Sequence, residues 1–245
     1  MDLKKQEIEN YYRKHLTSDY KPAFYHPRSQ RILEFLKNEK KSTRILDIGC
    51  EAGDLLLMLK EAGSKNAEGL DYSVEAKNFA EKRGLKVTLF DFEKEKIKYS
   101  HKFDFVICAD VLEYIFDPGK FLEKIKLLLL QDGKLILAVS NAGWWLNGIL
   151  STFFPQLLRS SPVFGFWTNV NQFTFFNFKK ILGDSGFDVA KITGVPFVQP
   201  KPPKEGIVRK IVKFIFKLPI KFTNLFSNLY LPIFSSYLIV LAIQK

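Results

Sequence analysis

Apolar runs recur at 43–48, 66–70, 86–90, 103–109 and 133–140, each only five to eight residues long. That is strand length rather than helix length, and strands buried on both faces read as short apolar runs. Between them lie Asp54–Ala62, Val74–Arg83 and Pro118–Leu129, which read as helices. Strand and helix in alternation predict a doubly wound α/β sheet. Residues 3–40 read as helical, with Ile32, Leu33, Phe35 and Leu36 forming an apolar face over the start of the sheet. Asp117-Pro118 supplies a helix start, an N-cap followed by proline at the first helical position. Gln131-Asp132-Gly133 supplies the turn into the fifth strand, and no internal repeat is visible.

The first strand runs into a glycine turn, Leu46-Asp47-Ile48-Gly49-Cys50-Glu51-Ala52-Gly53, and a helix follows. Such a turn brings backbone N–H groups up to a ligand. Asp71 ends the next strand, where parallel α/β proteins hold a ribose diol about 20 residues after the turn. The pair predicts a nucleoside cofactor. A dinucleotide fingerprint would place glycines where Glu51 and Asp54 stand, which disfavours nicotinamide or flavin.

These residues resemble motif I of the class I S-adenosylmethionine (SAM) methyltransferases, L-D-I-G-C-G-x-G, with Glu51 in place of a glycine. The resemblance covers most of residues 28–195. It continues through Phe103–Tyr114, similar to the family's fourth strand and its D-V-L-E-H ending, and through Gly133–Asn141 and Phe173–Val189. It is nearest to ubiquinone-biosynthesis-like O-methyltransferases and to methyltransferases of glycan and lipid gene clusters. It implies a mostly parallel, seven-stranded, Rossmann-like sheet with helical insertions, and Tyr237–Ile243 as a final antiparallel strand. The expected division is a helical cap at 1–42, a SAM-binding core at 43–141, a lid at 142–176 and the end of the sheet at 177–245.

By the same resemblance, Asp71 takes both ribose hydroxyls and Gly49 and Gly53 carry the turn. Asp47 acts indirectly, through hydrogen bonds to the loop. Asp91 and Phe92 meet the edge and face of the adenine, Ala109 gives backbone contact, and Arg28 pairs with the methionine carboxylate. Glu51 either shifts the loop or sets a carboxylate near the cofactor's ammonium group. Candidates for a general base are few. The family's histidine after D-V-L-E is Tyr114 here, a phenol with a pKa near 10, and the one before the later F-T stretch is Asn171. His26 and Asn141 complete the weak candidates, while His101 falls at the opposite edge of the sheet.

Bulk composition is that of a globular chain, with 47% hydrophobic and 26% charged residues. The N-terminus has no apolar segment of the secretory kind, and Cys50 and Cys108 both fall in expected core positions, so a reduced, cytoplasmic setting is expected. Of the net charge of +11, the residues from Lys201 onward carry +7. Within them, 207–218 reads as an amphipathic helix with Arg209, Lys210, Lys213 and Lys217 on one face and aliphatic and aromatic residues on the other. That is the pattern of a helix lying in an anionic membrane interface, here extending through 207–221. Between Lys134 and Lys179 the only charged residue is Arg159, with Trp144, Trp145, Phe164 and Trp167 in between, which predicts an apolar acceptor pocket. Nucleic acid fits less well, because Ala109-Asp110-Val111-Leu112 lacks the N-P-P-[YF] of base-amine methylation and the tail's aromatics offer no stacking platform.

Overall fold

The computed structural model describes residues 3–17, 19–20, 26–97, 99–143, 170–195 and 235–245. Most of the expected lid, residues 144–169, and the expected basic helix, residues 207–218, lie outside the described residues.

Helices α1 (Leu3–His15) and α2 (Pro27–Leu36) come first. The expected helical stretch is thus two helices, and Pro27 starts the second at its first turn, capped by His26. Then follow β1 (Arg44–Ile48), α3 (Asp54–Glu61), β2 (Asn66–Asp71), α4 (Val74–Lys82), β3 (Val87–Leu89) and β4 (Phe103–Ala109). A 3-10 turn at Leu112–Tyr114 leads to α5 (Pro118–Leu128), β5 (Leu129–Ser140), α6 (Phe175–Asp184), β6 (Phe187–Val195) and β7 (Tyr237–Gln244). Thr174 and Asn177 close a capping box at the start of α6.

The seven strands pair in the order β3-β2-β1-β4-β5-β7-β6. All pairs from β3 to β5 are parallel, and β7 lies antiparallel between β5 and β6. β5 begins earlier than the expected 133–140: Phe103 faces Leu129 while Phe105 faces Lys134, so the Gln131–Gly133 turn is an irregularity within the strand pairing.

Strand residues alternate between two core layers, as the pleat requires. Leu46, Ile48, Val106, Cys108, Leu135 and Leu137 pack with Phe121, Leu122 and Ile125 of α5 and Phe178 and Leu182 of α6. Ile45, Phe105, Ile107 and Ile136 pack on the other face with Ile32 and Leu36 of α2 and Leu55, Leu56 and Leu59 of α3. Cys50 and Cys108 are buried free thiols in separate layers. Among the described residues, no helix is long and apolar enough to cross a membrane.

Candidate cofactor site

The strand order reverses between β1 and β4, and open α/β sheets bind ligands at the carboxyl edge of that switch point. The loop after β1 and the residues after β4 flank this crevice. Three loop residues alternate into the left-handed region: Gly49 at φ +73°, Glu51 at +50° and Gly53 at +78°. A Cβ at Gly49 would meet Val111 Cγ2 at 2.2 Å, and one at Gly53 would meet Leu85 Cδ1 at 2.4 Å. The glycines are therefore demanded by backbone conformation and by the protein's own packing against the loop.

Asp71 pins this loop. Its Oδ2 accepts from the Glu51 backbone N at 2.9 Å and its Oδ1 from Ser73 N at 2.9 Å. Asp71 is 4% exposed, and its carboxylate keeps acceptor capacity for a diol hydroxyl. Burial pushes its pKa up, while the backbone amides of Ser73, Glu51 and Tyr72 pull it down. Gly49 N and Cys50 N donate to Leu70 O, and Gly53 N donates to Cys50 O. Asp47 is therefore not the acceptor for these loop amides, correcting the expectation; the loop is tied by Asp71 and by the carbonyl of Leu70. Asp47 is buried beneath the loop, and burial pushes its pKa up to about 7 despite the nearby Arg28.

Arg28, in the first turn of α2, reaches the end of β4 and forms an ion pair with Asp110. Its guanidinium lies 6.0 Å from the Tyr237 ring centre. Arg28 Nε and Asp110 Oδ1 are buried without a hydrogen-bond partner. Asp110 is itself left-handed, at φ +57°. Ala109, directly before it, is half-buried at the same edge.

The structure relocates other expected residues. The Phe92 ring is buried against Phe90 and Phe121, with centroids 5.6 and 4.6 Å away, so it is a core residue and offers no open face to an adenine. Asp91 Oδ1 accepts from Glu93 N and Lys94 N, a turn-closing role. The half-buried side chain still sits at the carboxyl end of β3. His26 Nδ1 accepts from Arg28 N at 3.3 Å, and its pKa is pushed down to about 4 by burial and by Arg28. That nitrogen is committed to the cap, and a pKa of about 4 makes the ring only weakly basic, so His26 is a poor general base. Asn141 is a buried staple: its Nδ2 donates to Ser235 O at 2.8 Å and its Oδ1 accepts from Gly143 N at 3.1 Å. Tyr114 ends the 3-10 turn beside this edge. His101 pairs with Glu68 at the opposite edge. There a groove of about 840 Å³, lined by Arg44, Lys60, Lys86 and His101, contains none of the motif residues.

Sequence reasoning missed Glu9, Tyr12 and Glu113, and gave Asp110 no partner. From α1, Glu9 accepts from Ser73 Oγ at 2.8 Å and Val74 N at 3.1 Å, capping α4 beside Asp71. Burial, followed by the charges of Asp71 and Glu51, holds the Tyr12 hydroxyl well above the usual phenol range. Glu113 is buried after β4, and its Oε1 accepts from Ser140 N at 2.7 Å, joining the ends of β4 and β5. No helix-start or turn signal marks these residues, because their roles depend on segments distant in sequence.

A turn with two left-handed glycines, a buried carboxylate at the end of β2 and a cation over the end of β4 suit a nucleoside bearing an amino-acid tail. A family model described as a methyltransferase domain matches residues 12–192. The chain belongs to the class I SAM-dependent methyltransferases. It is 32% identical over 108 residues to a ubiquinone biosynthesis O-methyltransferase of Actinobacillus pleuropneumoniae, covering 40% of this chain and 46% of that protein. A second such enzyme, of Glaesserella parasuis, is 28% identical over 156 residues, covering 57% and 66%. The chain thus spans about half the length of the first curated relatives it matches. The solved N-methyltransferase NodS of Bradyrhizobium japonicum, in complex with S-adenosylhomocysteine (SAH), superposes with a TM-score of 0.62 at 14% identity, over 97% of this chain and 98% of that one. The magnesium protoporphyrin IX methyltransferase of Synechocystis with bound SAM gives 0.60 at 16% identity, over 99% and 97%. Likeness at such identity is likeness of fold.

Proposed function

We propose that the chain methylates a hydroxyl oxygen of an apolar or lipid-linked small molecule at the face of a membrane. The observation that carries the cofactor half of this reading is Asp71, a buried carboxylate fixed by backbone amides at the carboxyl end of β2, where it suits a ribose diol. The acceptor half rests on the names of the curated relatives and on the nearly uncharged, aromatic stretch between Lys134 and Lys179. The membrane face rests on the basic, amphipathic pattern of 207–221.

SAM supplies an already activated methyl group, so the protein's task is to hold donor and acceptor close, in line and dry. Bound SAM would supply the methyl to the acceptor oxygen and be left as the thioether, and the acceptor's proton would leave to water or to a base. His26 and Asn141 are committed to structural hydrogen bonds. Positioning of an acceptor that ionises readily therefore supplies the rate in this reading, with Arg28 and Asp71 holding the donor.

The test is transfer of labelled methyl from SAM into a native lipid and quinone extract, with Asp71→Ala as control. A labelled apolar product absent in the variant supports the reading; label confined to RNA or protein overturns it. Flotation with anionic liposomes that weakens in high salt tests the membrane component.

A further inference from the structure

Glu51 stands where the resembling motif has glycine, in a backbone conformation that costs a residue with a Cβ about 1–2 kcal/mol. Strained residues of this kind persist where surrounding structure fixes them, and they gather at functional sites. Here the fixing contact is the bond from Glu51 N to Asp71 Oδ2. The Glu51 carboxylate has no hydrogen-bond partner among the described residues, although the side chain is only partly exposed.

The bond from its backbone N to Asp71 sets it at this edge, among several charges. Asp71 and Asp54 repel the carboxylate, and Arg28 and His15 attract it. It therefore lies in the field of both the candidate ribose acceptor, Asp71, and the candidate carboxylate partner, Arg28. In the cofactor, the α-ammonium hangs on the chain that joins the ribose to the carboxylate. A further carboxylate here gives the pocket an excess of negative charge, and SAM brings two positive centres against one negative.

We propose that Glu51 is a specificity residue that receives the α-ammonium group of the cofactor, so that the amino-acid tail is read at both ends, by Glu51 and by Arg28. This rests on the SAM-binding reading of the site. It also gives the strained residue a function that glycine could not supply, since glycine offers the ammonium no carboxylate.

The experiment is calorimetric titration of the full chain and of Glu51→Gln and Glu51→Gly with three probes: SAM, SAH and 5′-methylthioadenosine, which lacks the amino-acid tail. Glu51→Gln keeps the size and loses the charge. It is expected to weaken SAM and SAH alike by about 10- to 100-fold, the range of a charge-assisted hydrogen bond, and to leave methylthioadenosine within about 2-fold. Glu51→Gly is expected to melt higher than wild type, through relief of the left-handed strain, yet to bind SAM and SAH as weakly as the glutamine variant. Unchanged or tighter SAM binding in either variant overturns the proposal, as does equal weakening of all three probes, which marks a loop effect. Weakening of SAM alone would assign Glu51 to the sulfonium and also overturn it. Wild-type protein that binds neither SAM nor SAH would remove the underlying reading, and this proposal with it.

Discussion

Arg28 at the start of α2 and Asp110 at the end of β4 form an ion pair across the carboxyl edge of the sheet, each keeping one buried polar atom without a partner. The pair holds the cation where a methionine carboxylate would arrive, and Asp110 would then compete with the ligand. Arg28→Ala is expected to weaken SAM binding by about 10- to 100-fold, the loss of a charge-assisted contact. Asp110→Asn, by freeing the guanidinium, is expected to leave affinity equal or higher. Titration calorimetry on both variants decides it; equal losses would make the pair purely structural.

Asp71 closes two backbone hydrogen bonds, so its removal acts on fold and ligand together. Asp71→Ala strands the amides of Glu51 and Ser73 and is expected to cost about 2–4 kcal/mol of stability. SAM binding should fall below detection. Asp71→Asn keeps an acceptor for one amide and should fold better while still binding SAM poorly. Chemical denaturation paired with calorimetry separates the two effects.

At Gly53 the left-handed backbone and the nearness of Leu85 and Ala80 act together. Gly53→Ala is expected to destabilise the chain by about 2–4 kcal/mol, the strain plus overpacking. Glu51→Ala, left-handed already and partly open, should change stability by less than about 1 kcal/mol. A thermal melt showing Gly53→Ala unchanged would contradict the loop geometry.

Asp47 gives a pH signature. Its folded pKa of about 7 stands above the ordinary 3.8, so the folded state holds the proton more tightly than the unfolded chain. The stability it contributes is complete below about pH 4 and is lost as pH rises through about 7, a change of up to about 4 kcal/mol. Asp47→Asn has no such proton. The melting temperature of the variant should therefore gain on that of the wild type between about pH 4 and 7. A difference independent of pH would show that Asp47 is ionised throughout.

Glu113 ties the ends of β4 and β5 through Ser140 N, while its backbone carbonyl accepts from Val170 N and Asn171 N. Burial holds its carboxyl above the usual range. Glu113→Ala leaves Ser140 N without its acceptor and should cost about 2–3 kcal/mol. Glu113→Gln keeps the acceptor and removes a buried charge, so it should cost under about 1 kcal/mol. Urea unfolding of the two variants provides the measurement.

The sheet was legible because its signals are local. Apolar runs mark β1 and β4, Asp117-Pro118 marks α5, and the spacing from the Gly49–Gly53 turn to Asp71 marks the carboxyl edge of the sheet. Contacts between distant segments were not. Phe92 follows a strand in sequence, yet Phe90 and Phe121 draw its ring into the core, because burying an aromatic face there outweighs leaving it open. His26 looked like a base beside a pocket, but its Nδ1 caps α2.

Alone, the sequence determined the strand-turn-helix order, the glycine positions and the acidic residue at the end of β2, because periodicity and turn chemistry act over a few residues. Only the tertiary structure decided who partners whom: Asp71 with the Glu51 amide, Glu9 with the start of α4, Arg28 with Asp110. Those pairings follow from the way a twisted parallel sheet collects its strand ends on one edge and lets helices from remote segments fold over it. Charges that share no local pattern become neighbours there.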